Sequence, residues 1–185
     1  MRQKKDLHVL RKQINDVWTV VNLEKINIFE SVINNDIVNE IEEARWCTDL
    51  VQYAAYKCRI DGLVASAYLF CPQIIQIKDY IFIRQFWNHG IEESMDYIDR
   101  LEKQYQNDKK AIEMSVNTWS IGDFFVGDAS GLMDNPEIIA QFGNAIVYFW
   151  KNRVKDLFPD KNIVVRLDNN LMGEFGPCIT MYEDD

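Results

Sequence analysis

Ile74-Ile75-Gln76-Ile77-Lys78-Asp79-Tyr80-Ile81-Phe82-Ile83 is the stretch on which the reading of the fold turns. β-Branched and aromatic residues crowd both halves, and the two central residues are turn-like, though not the favoured Asn-Gly. The pattern predicts a hairpin over about 73–84. Tyr80 to Ile83 is apolar on both faces, which predicts a strand covered on both sides. A second hairpin, over about 162–182, ends the chain. Ile163-Val164-Val165-Arg166-Leu167 is one strand and Cys178-Ile179-Thr180-Met181-Tyr182 the other, joined through Asn169-Asn170, Gly173 and Gly176-Pro177. Helical segments precede and separate the hairpins. The expected class is therefore α+β, helices packed on a small antiparallel sheet formed by two hairpins, with all four strands in one sheet as the simplest case.

The helices show as apolar residues at spacings of three and four. Leu7, Leu10, Ile14, Val17 and Val21 mark one over about 4–21, and Ile26, Phe29 and Ile33 a shorter one over about 23–33. Asp36 is placed to cap a long helix with the buried stripe Ile37, Ile41, Ala44, Val51, Ala55 and Cys58, ending at Gly62. Val64 to Phe70 adds one or two turns before Pro72. Ile91, Met95, Ile98, Leu101 and Tyr105 mark a further helix, and Asn107-Asp108 caps the next, with Ile112, Val116 and Trp119 on its face. Residues 120–134 read as a loop. Asn135-Pro136-Glu137 is a strong helix start, and a wide stripe from Ile138 to Leu157 comes after it. Residues 1–185 are expected to form a single domain, a helical N-terminal part (about 4–70) packed on a C-terminal α+β part.

The chain carries 29 acidic and 20 basic groups, a formal net charge of −9. Residues 1–12 hold five bases and one acid, so the remainder has 15 bases and 28 acids, a net of −13. Nucleic-acid binding is driven mainly by Lys and Arg neutralising phosphates, so that balance argues against it. Cys47, Cys58, Cys71 and Cys178 form no CxxC pair and no zinc-ribbon spacing; free cysteines pack as small hydrophobes. No cofactor or metal is expected. No run of about 18 apolar residues predicts a membrane span, and no secretory pattern opens the sequence. The expected location is the cytoplasm.

Residues suited to chemistry are few. There are two histidines, His8 and His89. His89 sits in Phe86-Trp87-Asn88-His89-Gly90, and a packed or capping role outweighs a catalytic one on general burial habits. Gly127-Asp128-Ala129-Ser130-Gly131 resembles a nucleophile elbow but has its serine at the wrong position. Asp123, Asp128 and Asp134 lack calcium-loop spacing. They read, with Glu137, as loop solubility and helix capping. Of the tryptophans at 18, 46, 87, 119 and 150, Trp46 stands out. It lies between Arg45 and Cys47, close to Glu42 and Glu43, and an exposed aromatic beside acids has the anatomy of a protein-binding hot spot.

The leading expectation is a protein-binding module that docks on a basic protein partner. Immunity proteins of toxin systems and inhibitors of nucleic-acid enzymes have this physical character. Glu40, Glu42, Glu43, Trp46 and Asp49 are the candidate contacts, within residues 30–49, which hold six acids and one base. Residues 92–102 (five acids, one base) and 123–137 (four acids, no base) add to the field. Such a field would steer a cationic partner, which buried aromatics would then hold. The rival expectation is a small-ligand binder or enzyme whose site joins His89, Asn117, Asp123 and Asp128 in one deep pocket holding a carboxylate of raised pKa. A third is a self-associating structural subunit, since the stripes on the first and last long helices are wide.

Overall fold

The computed structural model describes residues 31–184. By its contacts the chain divides after Glu30, and the unit that begins at Ser31 is the one described. The helix expected over 4–21 and most of that over 23–33 lie outside the described residues, as do His8 and Trp18; residues 31–33 are not helical. The elements are α1 (Leu50–Lys57), α2 (Ile60–Phe70), β1 (Ile74–Ile77), β2 (Tyr80–Ile83), α3 (Ile91–Gln104), α4 (Lys109–Asn117), β3 (Trp119–Ser120), α5 (Pro136–Leu157), β4 (Ile163–Asn169) and β5 (Pro177–Glu183).

The class is α+β. Both expected hairpins form: β1 pairs antiparallel with β2, Ile75 opposite Phe82, and β4 with β5, Val165 opposite Met181. They do not share a ladder. β1 and β2 make a two-stranded sheet, and β3, β5 and β4 a three-stranded one in that order. Trp119, expected on a helix face, is instead half of β3, opposite Ile179. The single four-stranded sheet is replaced by two sheets because two side chains of α4 occupy the place where β2 would meet the distal half of β5.

β2 is the pivot of the core. All four of its residues are buried, and its alternation sends them to two clusters. Ile81 and Ile83 join Ile146, Trp150 and Val154 of α5 and Val165, Ile179 and Met181 of the second sheet. Tyr80 and Phe82 join Trp87, Ile98 and Leu101 of α3 and Ile112 of α4. The expectation that this strand is covered on both faces is met by helices on either side. The helix start at Asn135 also forms as read: its side chain accepts from the N–H groups of Glu137 and Ile138, and α5 then runs 22 residues. Gly143 lets α5 lie close on β4, because a Cβ there would sit 2.7 Å from Leu167 Cδ1.

The long helix expected from Asp36 to Gly62 does not form. Asn34, not Asp36, caps a 3-10 turn over Asn35–Glu40; a second turn spans Glu42–Ala44, and α1 starts only at Leu50. The cause is local capping chemistry. The Asp49 carboxylate accepts from Gln52 N–H at 2.7 Å, while Gln52 Oε1 accepts from Thr48 N–H at 2.7 Å. Asp49 is thus the N-cap, and Gln52 reaches back past it to Thr48; the two bonds fix a helix start where the apolar spacing alone runs on. A break at Cys58 and Arg59 then separates α1 from α2, and Gly62 lies inside α2 rather than ending a helix. No helix of the described residues is long and apolar enough to cross a membrane.

Candidate functional site

The buried polar groups of the described residues are structural. Glu113 and Asn117 lie one turn apart on α4, both fully buried. Ile81 and Ile83 turn their backbone groups away from β1 and toward α4. Glu113 Oε1 accepts from Ile81 N–H at 2.8 Å, and its Oε2 accepts from Glu183 N–H. Asn117 Oδ1 accepts from Ile83 N–H at 2.9 Å; its amide donates to Ile81 O at 2.8 Å and Met181 O at 3.0 Å. The two side chains thus act as a short surrogate strand, supplying β2 and β5 with the partners an edge requires. Burial pushes the Glu113 carboxyl above its ordinary value, against the pull of the two backbone N–H groups and Lys109.

A charged cluster borders this seam. Lys109 Nζ lies 2.6 Å from Asp79 and 2.7 Å from Glu183; Lys161 Nζ lies 3.1 Å and 2.7 Å from the same carboxylates. Burial opposes the charge of Glu183, but hydrogen bonds from Lys109 and Lys161 outweigh it and hold the carboxyl low. The same two lysines hold Asp79 low. The cluster ties the turn of the first hairpin to the end of the second.

The four residues expected to share a catalytic pocket do not meet. Asn117 is committed to the seam. Asp128 accepts from the N–H and hydroxyl of Ser130, two residues on, in an exposed turn. His89 packs at 3.9 Å between ring centroids on Tyr97 and edge-on to Trp87 at 5.5 Å, with its Nδ1 4.0 Å from Glu93. It borders a cavity of about 190 Å³ that does not include Asp123. Asp123 borders a different, largely aromatic groove that does not include His89. Among the described carboxylates, Glu113 alone is held above its ordinary value, and both its oxygens are occupied. Among the described residues no three His, Cys, Asp or Glu side chains cluster as metal ligands would.

The residues expected to touch a partner lie differently. Trp46 is 82% exposed. Glu40, Glu42 and Glu43 are exposed around it in sequence and make no ion pair with the described residues. Asp49 is half-buried and is spent on capping α1. Glu43 lies near enough to Tyr53 to help burial, the larger cause, raise that phenol. Beneath this surface Ile37, Val38 and Ala44 are buried, and Asn34 N–H donates to Gln141 of α5 at 3.1 Å, so the turns are anchored.

α1 and α2 also expose apolar side chains, and the periodicity of the sequence did not reveal it. No residue of α1 or α2 is buried. Val51 is 79% exposed, and Tyr56 and Ile60 are each 77% exposed. Ile60, Val64 and Tyr68, at i, i+4 and i+8, form an exposed apolar stripe on α2. The end of α2 is held to α5 by a hydrogen bond from Trp150 Nε1 to Leu69 O at 3.0 Å and by Phe70 packing on Phe142 and Phe149. The signal that could have found this surface was compositional: Ile60–Phe70 is apolar nearly all round, more than one buried face can use. Comparison with protein-family models, curated proteins and solved structures finds no match to this chain.

Proposed function

We propose that the protein is a binding module that docks on a basic protein partner, in the manner of an immunity protein or an inhibitor. The docking surface is the arm from Asn34 to Phe70. The observation that carries this reading is the exposure, along that arm, of the large apolar side chains Trp46, Val51, Tyr56, Ile60, Val64 and Tyr68, together with Glu40, Glu42 and Glu43, which pair with no base among the described residues. Soluble domains seldom leave such a surface to water without a use for it. A cationic partner is the complement its charge selects: the acidic field speeds encounter, and the aromatics supply the desolvated contacts that slow release. The dispersal of His89, Asn117, Asp123 and Asp128 weighs against a catalytic carboxylate site. The reading places the protein in the cytoplasm, supported by four free cysteines, two of them exposed.

The test is to capture partners with the tagged full chain, purify a stoichiometric one and follow its association at rising salt. The expected partner is basic, its association rate falls by about tenfold or more between low and high ionic strength, and Trp46→Ala speeds its release. A partner bound equally well at all salt concentrations and by Trp46→Ala would contradict the reading. The stripe on α2 also suits self-association. Sedimentation showing concentration-dependent dimers, with no partner captured, would favour that structural role.

A further inference from the structure

We propose that the groove beneath α2 is a binding site for a small organic cation, an ammonium carried on an apolar body. This goes beyond the docking reading and does not depend on it. The groove has a volume of about 360 Å³, at the lower end of what small-molecule sites occupy. It opens where α2, the turn Arg84–Phe86, β3 and α5 meet. Its walls are the rings of Tyr68, Phe86, Trp119, Phe124 and Trp150, and its one charged lining residue is Asp123.

The aromatic wall is fixed in place before any ligand arrives. Phe86 stacks on Trp119 at 4.7 Å with planes 2° apart, and meets Trp150 at 6.1 Å in a tilted contact. Phe124 is held edge-on to Phe142 at 5.8 Å. Trp150 is buried, its N–H already given to Leu69 O, and the Gln85 amide donates to the Tyr68 hydroxyl. The exposed carboxylate of Asp123, by contrast, makes no ion pair with the described residues. Ring faces are attractive to cations, and a carboxylate beside them adds a direct counter-charge. An anionic ligand would meet Asp123 with no base to offset it. The flat ring walls suit a flat apolar body, so the proposed occupant is a free small molecule that carries its ammonium on such a body.

The experiment titrates the isotope-labelled full chain with benzylamine and, separately, with neutral benzyl alcohol, following the indole N–H signals of Trp119 and Trp150 by NMR. Benzylamine is expected to shift them saturably, and benzyl alcohol to bind about tenfold more weakly. Asp123→Asn, an exposed substitution whose fold is verified by the rest of the spectrum, is expected to reduce the preference for the amine to the part the rings supply while leaving benzyl alcohol binding unchanged. Equal affinity of the wild type for the two probes would overturn the proposal, as would the absence of a saturable shift. A lysine-bearing amphipathic peptide that shifts Trp119 where benzylamine does not would likewise overturn it and assign the groove to protein docking.

Discussion

The seam between the two sheets and the arm from Asn34 to Phe70 treat their side chains in opposite ways. At the seam every polar atom of Glu113 and Asn117 that the backbone needs is used, in full burial. On the arm, Trp46, Val51, Tyr56, Ile60 and Val64 stand largely in water, and Glu40, Glu42 and Glu43 make no ion pair with the described residues. The difference teaches where to look for function in a chain poor in catalytic residues. A buried carboxylate of raised pKa is the usual mark of a reactive group; here it marks a joint between strands. The surface that folding leaves unsatisfied is the one with capacity to bind.

The largest expected effect is at the seam. Asn117→Ala strands the N–H of Ile83 and the carbonyls of Ile81 and Met181 in the interior, and each buried orphan costs about 1–3 kcal/mol. Urea unfolding should show a loss of about 3 kcal/mol or more; a loss under about 1 kcal/mol would mean that the seam does not join the sheets. Trp46→Ala comes next and acts on the other side of the contrast. Stability should stay within about 0.5 kcal/mol, while affinity for a captured partner should fall by about 2 kcal/mol. A large stability loss from that substitution would mean that Trp46 is part of the core.

A smaller effect concerns pH. Glu113 is held above its ordinary value, so the folded state binds its proton more tightly than the unfolded state does. Its stabilising contribution is complete below the unfolded value, about 4.3, and is lost as pH rises through the folded one. Glu113→Gln lacks that titration, while Asp79 and Glu183, held low and losing stability as pH falls, titrate in both chains. The unfolding free energy of the wild type relative to Glu113→Gln should therefore shrink as pH rises above about 4.3. An advantage that grows with pH would show that the carboxylate is favoured by its N–H donors more than it is penalised by burial. The smallest effect is expected for Ile60→Ser with Val64→Ser on α2. Thermal stability should change little, because neither side chain is buried, and any self-association should weaken.

The sequence made the periodic parts of this fold legible. The hairpin of Tyr80–Ile83, the helix start at Asn135 and the final strand pair all come from alternation, capping and turn residues. The N-cap at Asp49 was equally visible, but an apolar stripe that continued across it was the stronger apparent signal. The seam was not legible, because a glutamate and an asparagine four residues apart on a helix look like a solvated face until the strands beside them are placed. Exposure of Trp46 is likewise a tertiary property, since the same spacing suits a core aromatic. The candidate contacts Glu40, Glu42, Glu43 and Trp46 prove to be on the surface, and the buried-stripe reading concealed a second exposed apolar stripe on α2.

Amide hydrogen exchange across residues 31–184 tests the contrast most directly, because one experiment reports on both regions. The seam predicts that the N–H groups of Ile81, Ile83 and Glu183 are protected as strongly as those inside the β4–β5 ladder, although each donates to a side chain of α4 and not to a strand. The exposed arm predicts that α1 and the first turns of α2 exchange orders of magnitude faster than α5. Rapid exchange at Ile81 and Ile83, together with protection of α1 equal to that of α5, would contradict the account at both ends.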